Sequence, residues 1–306
     1  MKAQTQANVA KRAAEAPEPA APPQEKSAAV PPATAPRKAA ETTLLIIDPQ
    51  CDFHGGGTLA VPGADEDAAR TAAFIESNMA SIARIVITLD THHKLHIAHG
   101  AFWSSTAGES PPPFTLVSKQ DVQAGVWVPR DSTLVDYVLD YIDKLEASGK
   151  FKLCIWPEHC IIGSRGHAVT APILKAANNW SVMHSKNIQY VHKGQNNLTE
   201  MYSALSAEVP LDDDPATQYN SALQQSLLPA SDEQQLLVCG QAMSHCVNYT
   251  VRDIVKNQPK EVTARLQLLT DCASSVTGFE AAGDEFVADM RTAGVKMVSA
   301  ANLVLT

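Results

Sequence analysis

Short apolar runs alternate with amphipathic segments along most of this chain of 306 residues. Seven runs have the length and continuity of strands that are buried on both faces: 43–48, 84–90, 151–156, 188–193, 236–239, 266–271 and 295–300. The segments between them whose apolar positions recur at helical intervals are 65–82, 131–147, 171–184, a stretch after 244, and 279–292. Strands that alternate with helices favour right-handed crossovers and a mainly parallel sheet covered on both faces. The pattern therefore predicts a doubly wound α/β fold.

The stretch 234–255 contains the candidate nucleophile, Cys246. Its apolar run ends at Gly240, which permits a tight turn, and helical spacing begins near Ser244. Ser244 is the predicted N-cap, so Cys246 is expected in the first turn of a helix. Unpaired N–H groups and the helix dipole favour a thiolate there, and such sites can lower a cysteine pKa to about 3.5–7.5. The alternative is that Cys246 is a small buried hydrophobe in a core helix.

Polar residues follow the predicted strands where an α/β active site is expected. Asp48, Asp90, Lys193 and Cys246 each end or follow a strand, and active sites of parallel sheets lie beyond the carboxyl ends of the strands. A carboxylate at Asp48 would take the proton of Cys246 and return it to a leaving amine. Lys193 is expected on the strand next to that of Cys246, where its ammonium would hold the thiolate. The alternatives are a turn-capping Asp48 and a solvated Lys193.

A second polar group is rich in histidine. The segments LDTHHKLHIAH and WPEHC supply oxygen and nitrogen donors of the kind that zinc and other first-row divalent metals bind. These donors are Asp90, His92, His96 and His159. His93 and His99 are expected to be surface bystanders. The alternative is a histidine cluster that binds no metal.

Composition narrows the class of protein. A content of 45% hydrophobic and 19% charged residues is typical of a globular protein with a large core. The net charge of -9 without a dense basic patch argues against nucleic acid as a partner. No apolar run approaches the roughly 20 residues of a membrane span. The six cysteines contain no CxxC pair, which favours free thiols and a cytoplasmic location.

The N-terminal segment differs from the rest of the chain. Residues 1–40 hold 14 alanines and 7 of the 19 prolines, with almost no large apolar side chains. Such a segment cannot bury a core. We therefore expect a disordered Ala/Pro-rich tail over 1–42 and one domain over 43–306.

Five motifs, in order along the chain, resemble those of the isochorismatase-like cysteine hydrolases and, among them, of the nicotinamidases. The motifs are TLLIIDPQCDFHGGGTLAVPGADE, LDTHHKLHIAHGAFW, WPEHCIIGSRGH, KGQNNLTEMYSAL and CGQAMSHCVNYTVRD. The resemblance covers most of residues 43–300 and implies the isochorismatase-like hydrolase fold. An insertion at about 103–150 is longer than is usual in the family and is expected to form a lid or an assembly surface.

The resemblance also implies the catalytic residues. Asp48, Lys193 and Cys246 would form a catalytic triad. Gln241–Ala242 would be a cis peptide, and the backbone N–H groups of Ala242 and Cys246 would form an oxyanion hole.

A metal and a substrate pocket are implied in the same way. The implied ligands are Asp90, His92 and His159, with His96 as a further contact. Zinc is the expected ion, with manganese and iron as alternatives. The implied substrate-binding residues are Phe53, Trp156, Tyr202 and His245.

These residues together predict a cysteine amidohydrolase. It would cleave a small-molecule carboxamide, nicotinamide or a related compound, to the acid and ammonia through a thioester on Cys246. The alternatives are an isochorismatase-like hydrolase of a vinyl ether or carbamoyl compound, and a non-catalytic binding protein of the same fold. Vinyl ether hydrolysis needs no cysteine nucleophile, and a binding protein would be expected to have a broken triad. A homo-oligomer is expected.

Overall fold

The computed structural model describes residues 42–149, 151–231 and 234–305. Its strands are β1 (Thr42–Ile47), β2 (Ile82–Asp90), β3 (Trp103–Ser104), β4 (Leu116–Val117), β5 (Val128–Pro129), β6 (Leu153–Cys154), β7 (Gln189–Lys193), β8 (Gln235–Gly240), β9 (Leu266–Leu269) and β10 (Lys296–Val298). Its helices are α1 (Ala64–Ser77), α2 (Lys119–Gln123), α3 (Val135–Ala147), α4 (Ala171–His184), α5 (Ser221–Leu227), α6 (Cys246–Val255), α7 (Lys260–Thr263) and α8 (Glu280–Thr292). The predicted tail lies outside the described residues, except that Thr42 is the first residue of β1.

A six-stranded sheet forms the centre of the fold. Its strand order is β10–β9–β8–β1–β2–β7, and every neighbouring pair is parallel. The predicted doubly wound α/β fold is confirmed. None of the helices in the described ranges has the length and apolarity to cross a membrane. All six cysteines are free thiols.

Both faces of the sheet are buried, and β1 shows how. Leu44 and Ile46 pack on the side of α1 and α4, while Leu45 and Ile47 pack on the side of α6 and α8. Successive side chains of a strand point to opposite faces, so a strand covered on both sides needs an unbroken apolar run. The run TLLII of β1 satisfies both layers.

The order of the strands reverses beside β1. From β1 the chain moves outward to β2 and β7, and it then returns to the other side of β1 to form β8, β9 and β10. Such a reversal opens a crevice at the carboxyl ends of the strands. The expectation that the strand of Lys193 lies next to that of Cys246 is wrong, because β1 and β2 separate β7 from β8. Apolar runs identify strands but do not encode which ones are neighbours.

The insertion buries its apolar surface within the chain. Helix α3 follows a 3-10 turn and buries Val138, Tyr141, Ile142 and Leu145. These side chains share a cluster with Trp103 and other residues of the insertion and its flanks. Two antiparallel pairs, β3 with β5 and β4 with β6, frame the segment. The role of the insertion as a lid or an assembly surface stays a prediction.

The turn after β8 differs from expectation at Ser244. Helix α6 begins at Cys246, and no side chain caps its first N–H groups. The Ser244 hydroxyl instead accepts a hydrogen bond from the Val276 N–H at 3.1 Å and lies 2.9 Å from Nδ1 of His245. The predicted N-cap is therefore wrong, because the turn directs this hydroxyl to a neighbouring loop.

Gly240 sets the approach of β8 to β1, which leads to the first prediction. Its φ is +119°, and a Cβ there would lie 2.0 Å from the carbonyl oxygen of Ile47. Gly240→Ala should therefore separate the two central strands and lower the melting temperature by more than 10 °C, or prevent folding. Gly56→Ala is the matched control, because Gly56 has φ +83° and no neighbour within 4 Å. Its cost is the left-handed backbone alone, about 1–2 kcal/mol, and equal melting temperatures of the two variants would contradict the prediction.

Candidate active site

The Lys193 ammonium lies at the centre of a buried polar cluster. Its Nζ lies 2.9 Å from Oδ2 of Asp48 and 3.0 Å from Oδ1 of Asp90. The same Nζ donates to the carbonyl oxygen of Met201 at 3.0 Å and lies 3.5 Å from Sγ of Cys246. Lys193 is 2% exposed. The cluster thus joins groups from the ends of β1, β2 and β7 to the first residue of α6.

Asp48 is fixed through one carboxylate oxygen. Its Oδ1 accepts a hydrogen bond from the Thr88 hydroxyl at 2.5 Å, and the same hydroxyl accepts from the Asp48 N–H at 3.0 Å. Apart from the ion pair with Lys193, Oδ2 has no hydrogen-bond partner among the described residues. Donor atoms of Asp48, Asp90 and Cys246 lie within 4.8 Å of one another. This oxygen is therefore available to a proton from the thiol.

Burial controls the protonation of these groups. It raises the pKa of Cys246 well above its usual value, and the Lys193 charge opposes that rise. This is opposite in direction to the lowered thiol pKa expected at a helix N-terminus. Burial also raises the pKa of Asp48, again opposed by Lys193. Burial would lower the pKa of Lys193, but Asp48 and Asp90 outweigh it and hold that pKa well above the usual value.

Two backbone N–H groups face the same region. The peptide bond between Gln241 and Ala242 is cis, at the position that the sequence resemblance implies. The N–H groups of Ala242 and Cys246 donate no hydrogen bond in the described parts of the chain. Free N–H groups of this kind can bind a developing oxyanion.

Asp90, His92 and His159 have the chemistry and spacing of a metal site. Oδ2 of Asp90 lies 3.1 Å from Nε2 of His92 and 3.3 Å from Nε2 of His159. Zinc bonds of about 2.0–2.1 Å place neighbouring ligands of a tetrahedral site about 3.3–3.4 Å apart. Apart from the contact of Nε2 with Asp90, neither ring nitrogen of His92 has a hydrogen-bond partner among the described residues. Nδ1 of His159 lies 2.8 Å from the carbonyl oxygen of Pro157, which requires a proton on Nδ1 and leaves Nε2 free to bind a metal.

The neighbouring histidines are placed differently from one another. His96 already uses both ring nitrogens, since Nδ1 accepts from the Ala98 N–H at 3.2 Å and Nε2 lies 3.2 Å from the Thr199 carbonyl oxygen. His93 is exposed, as expected. His99 is 0% exposed, so its assignment as a surface bystander is wrong. It packs among the other histidines, with Nε2 3.3 Å from Nδ1 of His159.

A small, mainly apolar cavity opens onto Cys246. The predicted pocket residues all line it: Phe53, Trp156, Tyr202 and His245. Trp156 donates from Nε1 to the Tyr202 hydroxyl at 3.0 Å. Burial lowers the pKa of His245 to about 4, so this imidazole is neutral. His159 and Ala242 also line the cavity. The cavity therefore extends from residues with the chemistry of a metal site to the thiol of Cys246.

The sequence is similar to that of one curated relative. No protein-family model matches the sequence. The nicotinamidase of Escherichia coli strain K12 is 27% identical over 214 residues, which are 70% of this chain and 76% of that protein. The chain is nicotinamidase-like.

Solved structures establish the same fold. A nicotinamidase/pyrazinamidase of Acinetobacter baumanii matches with a TM-score of 0.57 and 19% identity, over 88% of this chain and 100% of that one. The pyrazinamidase of Pyrococcus horikoshii, solved in complex with zinc, matches with a TM-score of 0.50 and 19% identity, over 85% and 99% of the two chains. The chain thus has the same fold as these two proteins.

Sequence reasoning missed three side chains that shape this nicotinamidase-like site. Gln50 bonds both backbone groups of Asp90, each at 2.7 Å. Asp52 accepts from the Cys160 N–H at 2.7 Å and so secures the loop that carries His159. Glu200 lines the cavity, and burial raises its pKa. All three lie within the recognised motifs, but no spacing rule distinguishes them from ordinary loop residues.

The Lys193 cluster predicts a large cost when its cation is removed. Lys193→Met would leave the carboxylates of Asp48 and Asp90 buried without their cation, and we expect a loss of about 3–5 kcal/mol in the free energy of unfolding. Lys193→Met combined with Asp48→Asn should recover part of that loss. Lys144→Met is the control, because its ion pair with Asp140 is on the surface and is screened by solvent. Thermal unfolding measures all three variants, and equal melting temperatures for Lys193→Met and Lys144→Met would contradict the prediction.

Proposed function

We propose that this protein is a cysteine amidohydrolase that converts the carboxamide of a small nitrogen-containing ring, nicotinamide or a close relative, to the acid and ammonia. The observation that carries the proposal is the contact of one buried ammonium, Lys193, with Asp48 and Cys246 beside an aromatic cavity. The names of the relatives support the substrate class, since the curated relative is a nicotinamidase. A vinyl ether hydrolase would make no use of the thiol.

The first half of the reaction forms a thioester. Because burial raises the pKa of Cys246, the resting group is a thiol, and its proton passes to Oδ2 of Asp48 as Sγ attacks the carbonyl carbon. The carbonyl oxygen becomes an oxyanion that accepts hydrogen bonds from the N–H groups of Ala242 and Cys246. Lys193 stabilises the negative charge as it moves between sulfur and carboxylate. The intermediate then expels the amine, which takes the proton from Asp48 and leaves as ammonia.

The second half of the reaction restores the thiol. A water molecule attacks the thioester carbonyl while Asp48 takes one of its protons. Collapse of the second intermediate breaks the carbon–sulfur bond and releases the carboxylic acid. The proton on Asp48 returns to Cys246. One carboxylate thus serves as base and acid in both halves, through the oxygen that pairs with Lys193.

The cavity walls would orient the ring. Phe53 and Trp156 are each 4% exposed and present ring faces and edges to a planar substrate. His245 is neutral and adds no charge to this wall. These walls exclude bulk water from the thioester and align its carbonyl with Cys246.

Asp90, His92 and His159 fit a divalent metal, with zinc as the proposed ion. A metal there would supply a Lewis acid that binds a ring nitrogen of the substrate and polarises water. Neighbouring groups hold these ligand side chains in place. Lys193 donates a hydrogen bond to Oδ1 of Asp90, and the Pro157 carbonyl orients His159. Manganese and iron remain the alternative ions. The single domain over 43–306, the homo-oligomer and the cytoplasmic location remain predictions.

The nucleophile is tested by paired cysteine variants. Cys246→Ala should lower ammonia release from nicotinamide, pyrazinamide or related carboxamides by about 10³-fold or more while the protein stays folded. Cys160→Ala is the control, because this fully buried thiol follows His159 and packs in one cluster with Phe53 and Trp156. It should retain turnover within a few-fold. An active Cys246→Ala variant, or a folded and inactive Cys160→Ala variant, would contradict the assignment.

The metal is tested by content and stability as well as by turnover. Dialysis against a strong chelator should lower both activity and melting temperature, because a ligand at 100 times its Kd stabilises a folded protein by about 2.7 kcal/mol. Zinc, manganese or iron should restore both. His159→Ala should behave like the chelated protein, and His93→Ala, at an exposed position, like the wild type. A metal content below about 0.2 per chain with full activity in chelator would exclude the site.

A further inference from the structure

Glu200 lines the cavity, and the proposed reaction does not use its carboxyl group. Glu200 is 4% exposed and lines the cavity together with Cys246 and Trp156. Its Oε1 accepts a hydrogen bond from the Met201 N–H at 3.0 Å. Its Oε2 is buried and has no partner among the described residues. Buried polar atoms are rarely left without a hydrogen bond, so this oxygen calls for a partner supplied by whatever fills the cavity.

The insertion holds Glu200 in this position. The Tyr141 hydroxyl of helix α3 accepts a hydrogen bond from the Glu200 N–H at 3.1 Å. The Tyr137 hydroxyl, one turn earlier, donates to the Leu198 carbonyl oxygen at 2.7 Å. The Glu200 carbonyl oxygen accepts from the Glu208 N–H at 2.8 Å. These bonds fix the backbone on both sides of Glu200 and limit the movement of its side chain.

The carboxyl group of Glu200 lies at the metal end of the cavity. Asp90 and His159, two of the proposed metal ligands, line the same cavity as Glu200. The carbonyl group of a bound carboxamide must instead lie at Cys246 and the free N–H groups of the turn after β8. A substrate with its carbonyl group at Cys246 and a ring nitrogen toward the metal ligands would then bring that end of its ring to Glu200.

We infer that Glu200 is a specificity-determining residue that accepts a hydrogen bond from an N–H or amino group carried by the substrate ring beside its ring nitrogen. This inference rests on the proposed function, because it assumes that the ring of a carboxamide occupies the cavity. The preferred substrates are then a subset of the carboxamides that the proposed function includes. It consists of carboxamides of nitrogen heterocycles that present a donor next to an acceptor. A ring without such a donor would leave Oε2 without a hydrogen bond. A buried charged group that lacks its hydrogen bond lowers the affinity of the protein for that ligand.

Binding to a variant that cannot turn over the ligand tests the inference. In Cys246→Ala, calorimetry would compare 6-aminonicotinamide with 6-methylnicotinamide, two ligands of nearly equal shape that differ in the donor. We expect the amino compound to bind about tenfold more tightly or better, as for one hydrogen bond to a charged group. Equal dissociation constants, tighter binding of the methyl compound, or no binding of either would overturn the inference.

Variants of Glu200 in the same background provide the control. Glu200→Leu should reduce the ratio of the two dissociation constants to about one, and Glu200→Gln, which keeps the shape and loses the charge, should reduce it severalfold. Thermal unfolding verifies that each variant is folded. If the ratio of the two dissociation constants is unchanged in both variants, Glu200 does not accept a hydrogen bond from the amino group of the ligand. Ammonia release by the wild-type protein is measured separately, so loss of the proposed reaction is distinguished from loss of this preference.

Tyr141→Phe separates positioning from direct contact. It removes the acceptor of the Glu200 N–H and leaves the Glu200 carboxyl in place. We expect weaker binding of the amino compound by a few-fold and an unchanged dissociation constant for the methyl compound. Equal effects on both ligands would mean that Tyr141 has a general structural role and that the insertion does not position Glu200 for the amino group.

Discussion

The buried charge of Lys193 is the constraint on which the site depends. Its Nζ lies within 3.0 Å of the carboxylates of both Asp48 and Asp90 and within 3.5 Å of Sγ of Cys246. Two carboxylates so close together could not both be ionised in a buried site without a cation between them. The same cation connects Asp48 and Cys246 to the proposed metal ligands, because it also contacts Asp90. Loss of Lys193 would therefore affect both.

The sheet places this charge where the side chains can meet. Lys193 stands at the end of the edge strand β7, three strands away from β8, whose following turn leads to Cys246. The Lys193 side chain and the turn after β8 together close that distance, so that Nζ lies 3.5 Å from Sγ of Cys246. Gln50 and Asp52 then secure the loops around it through backbone hydrogen bonds. The insertion contributes at the other side of the cavity, where Tyr141 holds the backbone of Glu200.

Much of the fold could be predicted from the sequence, because buried parallel strands require unbroken apolar runs. TLLII of β1 is such a run, and helix α4 has the predicted bounds of 171 and 184. The adjacency of strands could not be predicted, since apolar runs do not specify neighbours, and β7 was expected beside β8. Burial of His99 was also missed, because a histidine in a polar segment gives no signal of its surroundings. The unpartnered Oε2 of Glu200 depends on tertiary packing and has no counterpart in the sequence pattern.

The proposed reaction requires a covalent bond between Cys246 and the substrate carbonyl. Rapid acid quench of the protein during turnover of nicotinamide, followed by intact-mass measurement and peptide mapping, tests it most directly, because a thioester survives acid. We predict one acyl group per chain, located on the peptide that contains Cys246 and lost after treatment with hydroxylamine. Turnover with no acyl group on the protein, or with the group on another residue, would contradict the account.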